Sequence, residues 1–566
     1  MSKELAVVNG TVFDPVNGVA GEKLDIFIRD GKIVNSVSKK ARAINASGKT
    51  IMPGGVDIHS HIAGSKVNSG RLLRPEDHRK DVEPRTRTTH SGVGYSIPST
   101  RTTGYRYSRM GYTTVFEPAT PPLKTRHTHE ELDATPIIDK GCFPLLGNNW
   151  FVMEYLRDGK MKECAAYVAW MLKATKGYAI KIVNPGGVEV WGWGKFLRHL
   201  DDTVVNFDIT PREIVRGLCK VNKMLNLPHA IHVHTNNLGN PGNYLTTIDT
   251  MEAVRDLAVE KRPIIHITHV QFTGFAGSSW LNLRSGATEI ADYVNKHGHV
   301  SVDLGQVIFG DTTTMTADGP FQYFLHTLSG NKWVNVDVEA ETGSGIVPFQ
   351  YKRGNYVNAI QWGIGLELAL LVNDPWRVFM TTDHPNGGPF TSYPKVIAWL
   401  MSRKAREKTV SKINRTAKRR LALPSIEREY TLDEISIITR AAPAKSLGLV
   451  DKGHLGAGAD ADIAIYDIDP SRTDLERTPT LLRRAFKETS FTIKGGRIVS
   501  KEGQITEAPH GRTFHVDSAV SPSLESDLLK DVSSKFRDYY TIEIENYPIS
   551  ESYIRNPYTV PCKAEV

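Results

Sequence analysis

Histidine, lysine and aspartate side chains recur at the ends of short apolar segments, where they could bind metal ions. The first two are His59 and His61, which are separated by one residue. Residues two apart on a strand point to the same side, so both imidazoles could ligate one cation. In a chain with 19 histidines, such a pair alone is weak evidence for a metal site. The interpretation therefore depends on the later segments.

Lys181 lies inside the apolar segment YAIKIV, residues 178–183. In a parallel sheet this segment would be buried on both faces, and a buried ammonium without a partner is costly. The amine must therefore pair, lose its proton or be modified. It either pairs with Glu117 or Asp303, or it is carboxylated, so that its carboxylate bridges two cations.

Two further segments end in histidines. His234 directly precedes the polar turn TNN and lies at a predicted strand end, whereas His232 lies one pleat deeper and could either support the site or belong to the core. In the next segment His269 lies at the end and His266 lies on the opposite pleat. We expect His269 to be the ligand and keep His266 as an alternative, because predicted strand ends are accurate to within a few residues.

Asp383 follows the last apolar segment. Aspartate is also common in turns and at helix N-termini, so this position alone decides little. The order of H-x-H, lysine, histidine, histidine and aspartate along the chain is, however, typical of a binuclear hydrolase site. Zinc suits this ligand set best, although nickel, manganese or iron would also fit it.

Such a site predicts hydrolysis of an amide-like C–N bond, or the reverse reaction. Two cations would lower the pKa of a shared water from about 15.7 towards about 7. Asp383 would take the proton of this water and later deliver it to the leaving amine. His232, His266 or Asn184 could stabilise the oxyanion.

The elements that position these side chains are eight apolar, strand-like segments: 51–61, 112–118, 143–148, 178–184, 229–235, 264–270, 299–305 and 378–383. Helix-length sequence separates most of them, which predicts an α/β fold with a (β/α)8 barrel over residues 51–435. Short strand patterns over 1–50 and 436–520 predict a small composite β-sandwich domain built from both ends of the chain. Residues 521–566 form a C-terminal extension without clear periodicity.

The composition excludes several other classes. At 566 residues the chain is too long for a small binding module. Its 4 cysteines include no C-x-x-C pair, which argues against a disulfide framework and against a cysteine-ligated iron–sulfur cluster. We therefore expect no redox cofactor in this chain, and other chains would have to carry any electrons.

Charge and hydropathy suggest where the protein works. The N-terminus has no apolar signal core, and polar residues and a proline interrupt the apolar stretch 359–380, so we expect a cytoplasmic protein without a membrane anchor. The net charge of +8 favours anionic ligands but is too small for its length to indicate nucleic acid. Part of it lies in the long connection 66–109, where Arg71 and Arg74 are candidates to clamp a substrate carboxylate. Equally, this connection could contact another subunit.

Several stretches resemble a known family: MPGGVDIHSHIAG (52–64), GRLLRPEDH (70–78), IVNPGG (182–187), HTNN (234–237), HVQF (269–272) and TDHPNGGP (382–389). They are similar to the amidohydrolase superfamily and, within it, to the A subunits of formylmethanofuran dehydrogenases. The resemblance covers residues 1 to about 510. It implies a metal ligand set of His59, His61, Lys181, His234 and His269, with Asp383 as the catalytic aspartate.

The same resemblance implies an activity and partners. Such a subunit interconverts formylmethanofuran with formate and methanofuran, the first step of methanogenesis from CO2, at two zinc ions bridged by N6-carboxylated Lys181. Formate would come from a tungsten or molybdenum pterin subunit, and iron–sulfur subunits would supply the electrons. Two alternatives are a bacterial formyltransferase/hydrolase complex subunit, which only hydrolyses formylmethanofuran, and a non-catalytic scaffold.

Overall fold

Strands from both ends of the chain lie in one nine-stranded sheet of the computed structural model, which describes residues 4–259, 262–336, 343–540 and 542–566. The N-terminal strands are β1 (Glu4–Asp14), β2 (Val19–Arg29), β3 (Lys32–Val34), β4 (Arg42–Asn45) and β5 (Thr50–Pro53). The C-terminal strands are β19 (Ile463–Tyr466), β20 (Phe491–Lys494), β21 (Arg497–Lys501) and β22 (Gln504–Ile505). Antiparallel pairing of β5 with β19 joins the two groups.

The related sequence patterns 26–34 and 491–499 form equivalent hairpins, β2–β3 and β20–β21. The alternation of apolar residues along them places one face of the sheet in a core of its own. Each group of strands is too small to bury such a face alone, which explains why both ends of the chain contribute.

The central region contains parallel strands in two sheets. One sheet contains β6 (Gly55–Asp57), β7 (Tyr112–Thr120) and β8 (Asp139–Pro144), and the other contains β9 (Lys181–Val183), β10 (Ile231–His234), β11 (Ile265–Ile267), β14 (Val300–Asp303) and β18 (Val378–Phe379). Each of the eight predicted segments overlaps one of these strands. Within the described ranges, single bridges join the sheet edges, Leu145 to Lys181 and Ser60 to His384. The mixed α/β fold with parallel sheets is confirmed, and closure into one barrel stays a prediction.

The C-terminal residues extend the first parallel sheet. β23 (Thr513–Asp517) pairs in parallel with β8 and with β24 (Pro557–Pro561). Residues 513–517, which the sequence pattern groups with the composite domain, therefore lie in the central sheet. The remaining strands are β12 (Phe275–Ala276), β13 (Arg284–Ser285), β15 (Gly310–Thr316), β16 (Val334–Val336) and β17 (Ser344–Tyr351).

Helices connect and cover the parallel strands. In the first half of the chain they are α1 (Ser65–Leu73), α2 (Thr100–Arg109), α3 (Thr125–Ala134), α4 (Trp150–Arg157), α5 (Met161–Thr175), α6 (Gly187–Gly192), α7 (Pro211–Met224), α8 (Asn243–Glu252) and α9 (Ala287–Lys296). In the second half they are α10 (Gly319–Ser329), α11 (Tyr356–Leu371), α12 (Tyr393–Met401), α13 (Arg403–Val410), α14 (Arg415–Lys418), α15 (Leu432–Ser436), α16 (Ala442–Ser446), α17 (Pro479–Lys487) and α18 (Pro522–Tyr540).

The apolar stretch 359–380 forms most of α11, a turn and β18. Nearly every residue of α11 is buried in the central core, which explains its all-round apolar sequence. Among the described helices, none combines the length and the hydrophobicity needed to cross a bilayer.

A buried charge cluster ties the composite sheet to the central sheet. Its carboxylates are Asp139, Asp460 and Asp462, and its cations are Lys452, Lys494 and Arg512. Lys452 Nζ lies 2.7 Å from Asp139 Oδ2 and 2.6 Å from Asp462 Oδ2. Burial alone would raise the pKa of Asp139, but Lys452 and Lys494 outweigh it and hold this pKa well below its usual range.

Replacing Lys452 by Met should destabilise the protein, because only Lys494 and Arg512 of the cluster's cations would then compensate its three carboxylates. We expect the free energy of unfolding to fall by about 3–5 kcal/mol, measured by urea unfolding monitored with circular dichroism. As a control, Lys530→Met removes an exposed lysine paired with Asp527 and should cost less than about 1 kcal/mol. Equal effects of the two substitutions would contradict a stabilising role of the cluster.

Candidate metal centre

The histidines and the aspartate at the strand ends come together in one buried cluster. His59 follows β6 and Asp383 follows β18, and His59 Nε2 lies 3.0 Å from Asp383 Oδ1. His61 Nε2 lies 3.3 Å from the same oxygen. The ring centroid of His269 is 5.3 Å from that of His59 and 4.7 Å from that of His234. Ligand atoms of His59, His269 and Asp383 all lie within 4.8 Å of one another.

Lys181 is the first residue of β9 and is buried below this cluster. Its Nζ donates a long hydrogen bond of 3.5 Å to Thr268 Oγ1. Burial lowers the pKa of Lys181 to about 7, although the charges of Asp303 and Asp383 oppose the shift. Within the described part of the chain, no carboxylate oxygen lies within 4.0 Å of this amine, so the structure shows no ion pair with Glu117 or Asp303. Burial without such a partner makes loss of the proton easier than for an exposed lysine.

His232 contacts the cluster directly, whereas His266 contacts it only through Asp303. His232 Nε2 is 2.9 Å from His59 Nδ1. His266 Nε2 is 3.0 Å from Asp303 Oδ2, and Asp303 Oδ1 accepts the backbone N–H of His269. His266 pairs in register with His232, and His232 pairs with Lys181, so the three side chains lie on the same face of the sheet. His266 is engaged by Asp303, whereas a ring nitrogen of His269 lies near Asp383, and this geometry favours His269 as the ligand.

Two polar atoms in the cluster are buried without a hydrogen-bond partner among the described residues, His269 Nδ1 and Asp383 Oδ2. An unsatisfied buried polar atom costs about 1–3 kcal/mol, so such atoms usually have a missing partner. Their donor types, imidazole nitrogen and carboxylate oxygen, are those that a divalent transition metal prefers. The residues therefore fit a metal ion.

Backbone strain marks the same strand ends. Asn184, His269 and Asp383 have φ angles of 43°, 37° and 48°. This left-handed conformation costs a residue with a side chain about 1–3 kcal/mol and persists where the surrounding structure enforces it. Here it turns the chain sharply after each strand, so that these side chains face the site.

Carboxylates around the cluster orient its histidines. Glu117 Oε1 lies 2.8 Å from His61 Nδ1, and its Oε2 accepts the backbone N–H groups of Ile62 and Ala63. A carboxylate can only accept at Nδ1, so Nε2 of His61 is left with a free lone pair for a metal. The sequence marks Glu117 as a polar strand-end residue but does not reveal this function.

Asp318 is a residue that the sequence reasoning misses. Its Oδ2 lies 3.1 Å from His234 Nε2, and its Oδ1 accepts from Asn184 Nδ2 at 3.1 Å. Asp318 is the N-cap of α10 and also accepts the Phe321 N–H. The N-cap sequence Asp-Gly-Pro could have predicted this helix start, but no signal in the sequence connects it with β10.

The two candidate arginines lie outside the cluster. Arg71 pairs with Glu131 at 2.6 Å and donates to the Pro98 carbonyl. Arg74 is buried and donates to the Thr312 carbonyl and to Thr313 Oγ1. Both guanidinium groups are thus engaged within the chain, in a connection that folds into α1 and α2. A role for them in binding substrate stays a prediction.

A cavity of about 380 Å³ opens next to Asn184 and Asp318. Its remaining walls are largely aromatic, formed by Trp191, Phe196, Phe321, Tyr323 and Phe324. Of the three donors considered for an oxyanion, His232 and His266 are fully buried, whereas Asn184 faces this cavity. The cavity thus reaches Asp318, which contacts His234 of the cluster.

Comparison with known proteins agrees with this geometry. Residues 42–500 match the model of the amidohydrolase family. The chain belongs to this family. Among its amidohydrolase relatives, protein FwdA from Methanocaldococcus jannaschii is 54% identical over 97% of each chain. The A component of the formyltransferase/hydrolase complex Fhc from Methylorubrum extorquens is 35% identical over 96% of each chain.

Solved structures share the fold of this chain. A chain in the crystal structure of the FhcABCD complex from Methylorubrum extorquens with methylofuran superposes with a TM-score of 0.90. It is 33% identical, and the match covers 99% of this chain and 100% of that one. A D-aminoacylase structure, 15% identical with a TM-score of 0.50 over 90% of this chain and 99% of its own, shares the fold.

Substitution of His266, on β11, and of His269, in the turn that follows, should show which of the two binds the metal. We expect His269→Asn to lower the metal content of the purified chain, measured by inductively coupled plasma mass spectrometry. His266→Asn should retain the metal content when zinc is supplied in excess, because His266 contacts Asp303 and Ser301 rather than the cluster. The opposite pattern would make His266 the ligand.

Proposed function

We propose that the chain is the A subunit of a formylmethanofuran dehydrogenase, which reversibly condenses formate with methanofuran to formylmethanofuran. The observation that carries this proposal is a complete candidate ligand set at the strand ends of a chain 54% identical to FwdA over 97% of its length. The intact cluster argues against a non-catalytic scaffold. In this proposal the eight parallel strands close into one barrel. The two sheets would meet at the two single bridges, Leu145 to Lys181 and Ser60 to His384.

The metal centre would hold two zinc ions. Their ligands would be His59, His61, His234 and His269, together with the carboxylate of N6-carboxylated Lys181. When bound, the ions supply a more acidic water and polarise the formyl carbonyl. Carboxylation of Lys181 is supported by its burial and by the lack of a carboxylate partner among the described residues.

Asp383 would move the proton in this reaction. Its Oδ1 contacts His59 and His61, whereas its Oδ2 is buried without a partner in the described residues and is available to a water or an amine. In hydrolysis Asp383 accepts the proton of the attacking water and delivers it to the departing amine. In the condensation direction the same oxygen carries the proton the opposite way, as microscopic reversibility requires.

The aromatic cavity would hold the part of methanofuran that carries the amine. Asp318 at its inner end offers a carboxylate to the ammonium form of this group, and Asn184 Nδ2 offers a donor to the formyl oxygen. Aromatic walls suit a flat heterocycle because they combine apolar contact with stacking.

The formation of formate would require partner subunits. The chain has 4 cysteines, of which Cys142, Cys164 and Cys219 are buried and each of the 4 is free. We propose that a tungsten or molybdenum pterin subunit forms the formate and that iron–sulfur subunits supply the electrons. A chain that works in a formyltransferase/hydrolase complex is the second candidate, favoured by the TM-score of 0.90. Mass spectrometry of the native complex distinguishes the two by the presence or absence of the pterin and iron–sulfur subunits.

Asp383→Asn should abolish most of the activity, because the amide cannot accept a proton at the site. We expect formate release from formylmethanofuran to fall by about 10²–10⁴-fold. Metal content, measured on the same preparation, serves as the control for an intact site. A variant with full activity, or a wild-type protein without metal, would contradict the mechanism.

Lys181→Ala should lose metal and activity, and a short carboxylic acid such as propionate should restore part of both. The added carboxylate would occupy the place of the modified lysine and supply the missing bridging ligand. Lys66→Ala is the matched control, since Lys66 is a second buried lysine whose Nζ donates to the Ala119 carbonyl. If propionate restored metal content and activity to both variants, or to neither, carboxylation of Lys181 would be contradicted.

A further inference from the structure

A second cavity, of about 170 Å³, lies between α12, α13 and α17 and is open to solvent. Five cationic side chains line it: Arg353, Lys395, Lys408, Lys412 and Arg483. In the described part of the chain, none of the five has a carboxylate within 4.0 Å or a side-chain hydrogen bond. The cavity is separate from the metal centre and shares no lining residue with it.

Some cations close to the cavity in sequence are paired, with Arg403 Nε 3.0 Å from Glu407 Oε1 and Arg484 Nη2 4.0 Å from Asp467 Oδ2. Glu407 lies on the same helix as Lys408, so a carboxylate is within the local sequence but faces Arg403. The buried cluster around Lys452 shows the same contrast, since there three carboxylates balance three cations.

Lys395 lies at the inner end of the cavity and is half-buried. Its Nζ is 4.9 Å from the ring centroid of Trp399, whose indole N–H donates to Thr409 Oγ1. Burial, together with the charges of Arg353 and Arg483, lowers the pKa of Lys395 to about 8. An anion in the cavity would relieve this repulsion between like charges.

The start of α17 adds a further positive field. Pro479 and Thr480, its first two residues, line the cavity, and its first turn contains no acidic residue. The N-terminus of a helix carries a partial positive charge and free N–H groups, which favour anions. Side chains and helix thus present one sign of charge to a single small volume.

We propose that this cavity binds a small polyanion that carries two or more carboxylate or phosphate groups. The site lies on α12, which directly follows the Asp383 segment, but its occupancy requires neither metal nor formylmethanofuran. Failure of the proposed enzymatic function would therefore leave this proposal unaffected.

Isothermal titration calorimetry on the full-length chain tests it, with inorganic phosphate and propane-1,2,3-tricarboxylate as probes. We expect saturable binding of at least one probe, weakened at least tenfold between 20 mM and 300 mM NaCl, because salt screens the partly exposed cations (roughly the change of Debye length from 20 to 6 Å). The probe that binds more tightly shows whether the cavity prefers phosphate or carboxylate groups. The lack of saturable binding of both probes would overturn the proposal.

Substitutions inside and outside the cavity test where the anion binds. Lys395→Gln combined with Arg483→Gln should weaken binding at least tenfold without changing metal content. Arg472→Gln combined with Arg477→Gln removes the same charge from exposed residues outside the cavity, which pair with Asp469 and Asp474, and should leave binding unchanged. Arg483→Gln alone, at an exposed position, serves as the variant if the double substitution fails to fold. Equal affinity of the cavity variants and the wild type would overturn the proposal.

Discussion

The site depends on one constraint: ionisable groups at the ends of parallel strands are buried, so each needs a compensating partner. Parallel strands are covered on both faces, and the side chains at their ends are buried in this chain. The described residues supply partners for most of the groups, through Glu117, Asp303 and Asp318. They supply no carboxylate for Lys181 and no hydrogen-bond partner for His269 Nδ1 or Asp383 Oδ2. Those three lie in the same cluster, which is where a metal centre would compensate them.

The surrounding carboxylates decide what the histidines can do. A neutral imidazole has one donor and one acceptor nitrogen, so a carboxylate on one side leaves a lone pair on the other. Glu117 imposes this on His61, and Asp303 fixes His266 and the backbone turn at His269. Asp57, which accepts from Tyr107 and Tyr393, is buried next to the first strand end. Glu117, Asp303 and Asp57 thus orient the site without lining the cavity.

The sequence predicts the parallel strands well because their signal is local. A short apolar run with a polar end indicates a buried strand and its carboxyl end together, which locates His59, Lys181, His234 and Asp383. The choice between His266 and His269 depends on the pleat and on the exact strand end, so only the structure favours one. Asp318 could not be predicted, because its function arises where α10 meets β10 across 84 residues of chain. The C-terminal extension shows a similar limit of prediction. Residues 521–566 lack clear periodicity, yet they include α18, whose apolar residues pack on α5.

The excess of positive charge has two different structural settings, and the difference between them is informative. Where cations are buried, around Lys452, carboxylates of the same chain neutralise them, since breaking such a buried pair would cost about 3–5 kcal/mol. Where cations remain partly solvated, around Lys395, water reduces the cost of repulsion enough for the fold to tolerate it. A folded chain gains little by keeping such charges together, because separating them would lower its energy. Their concentration around one small volume is therefore better explained by a ligand than by the stability of the fold.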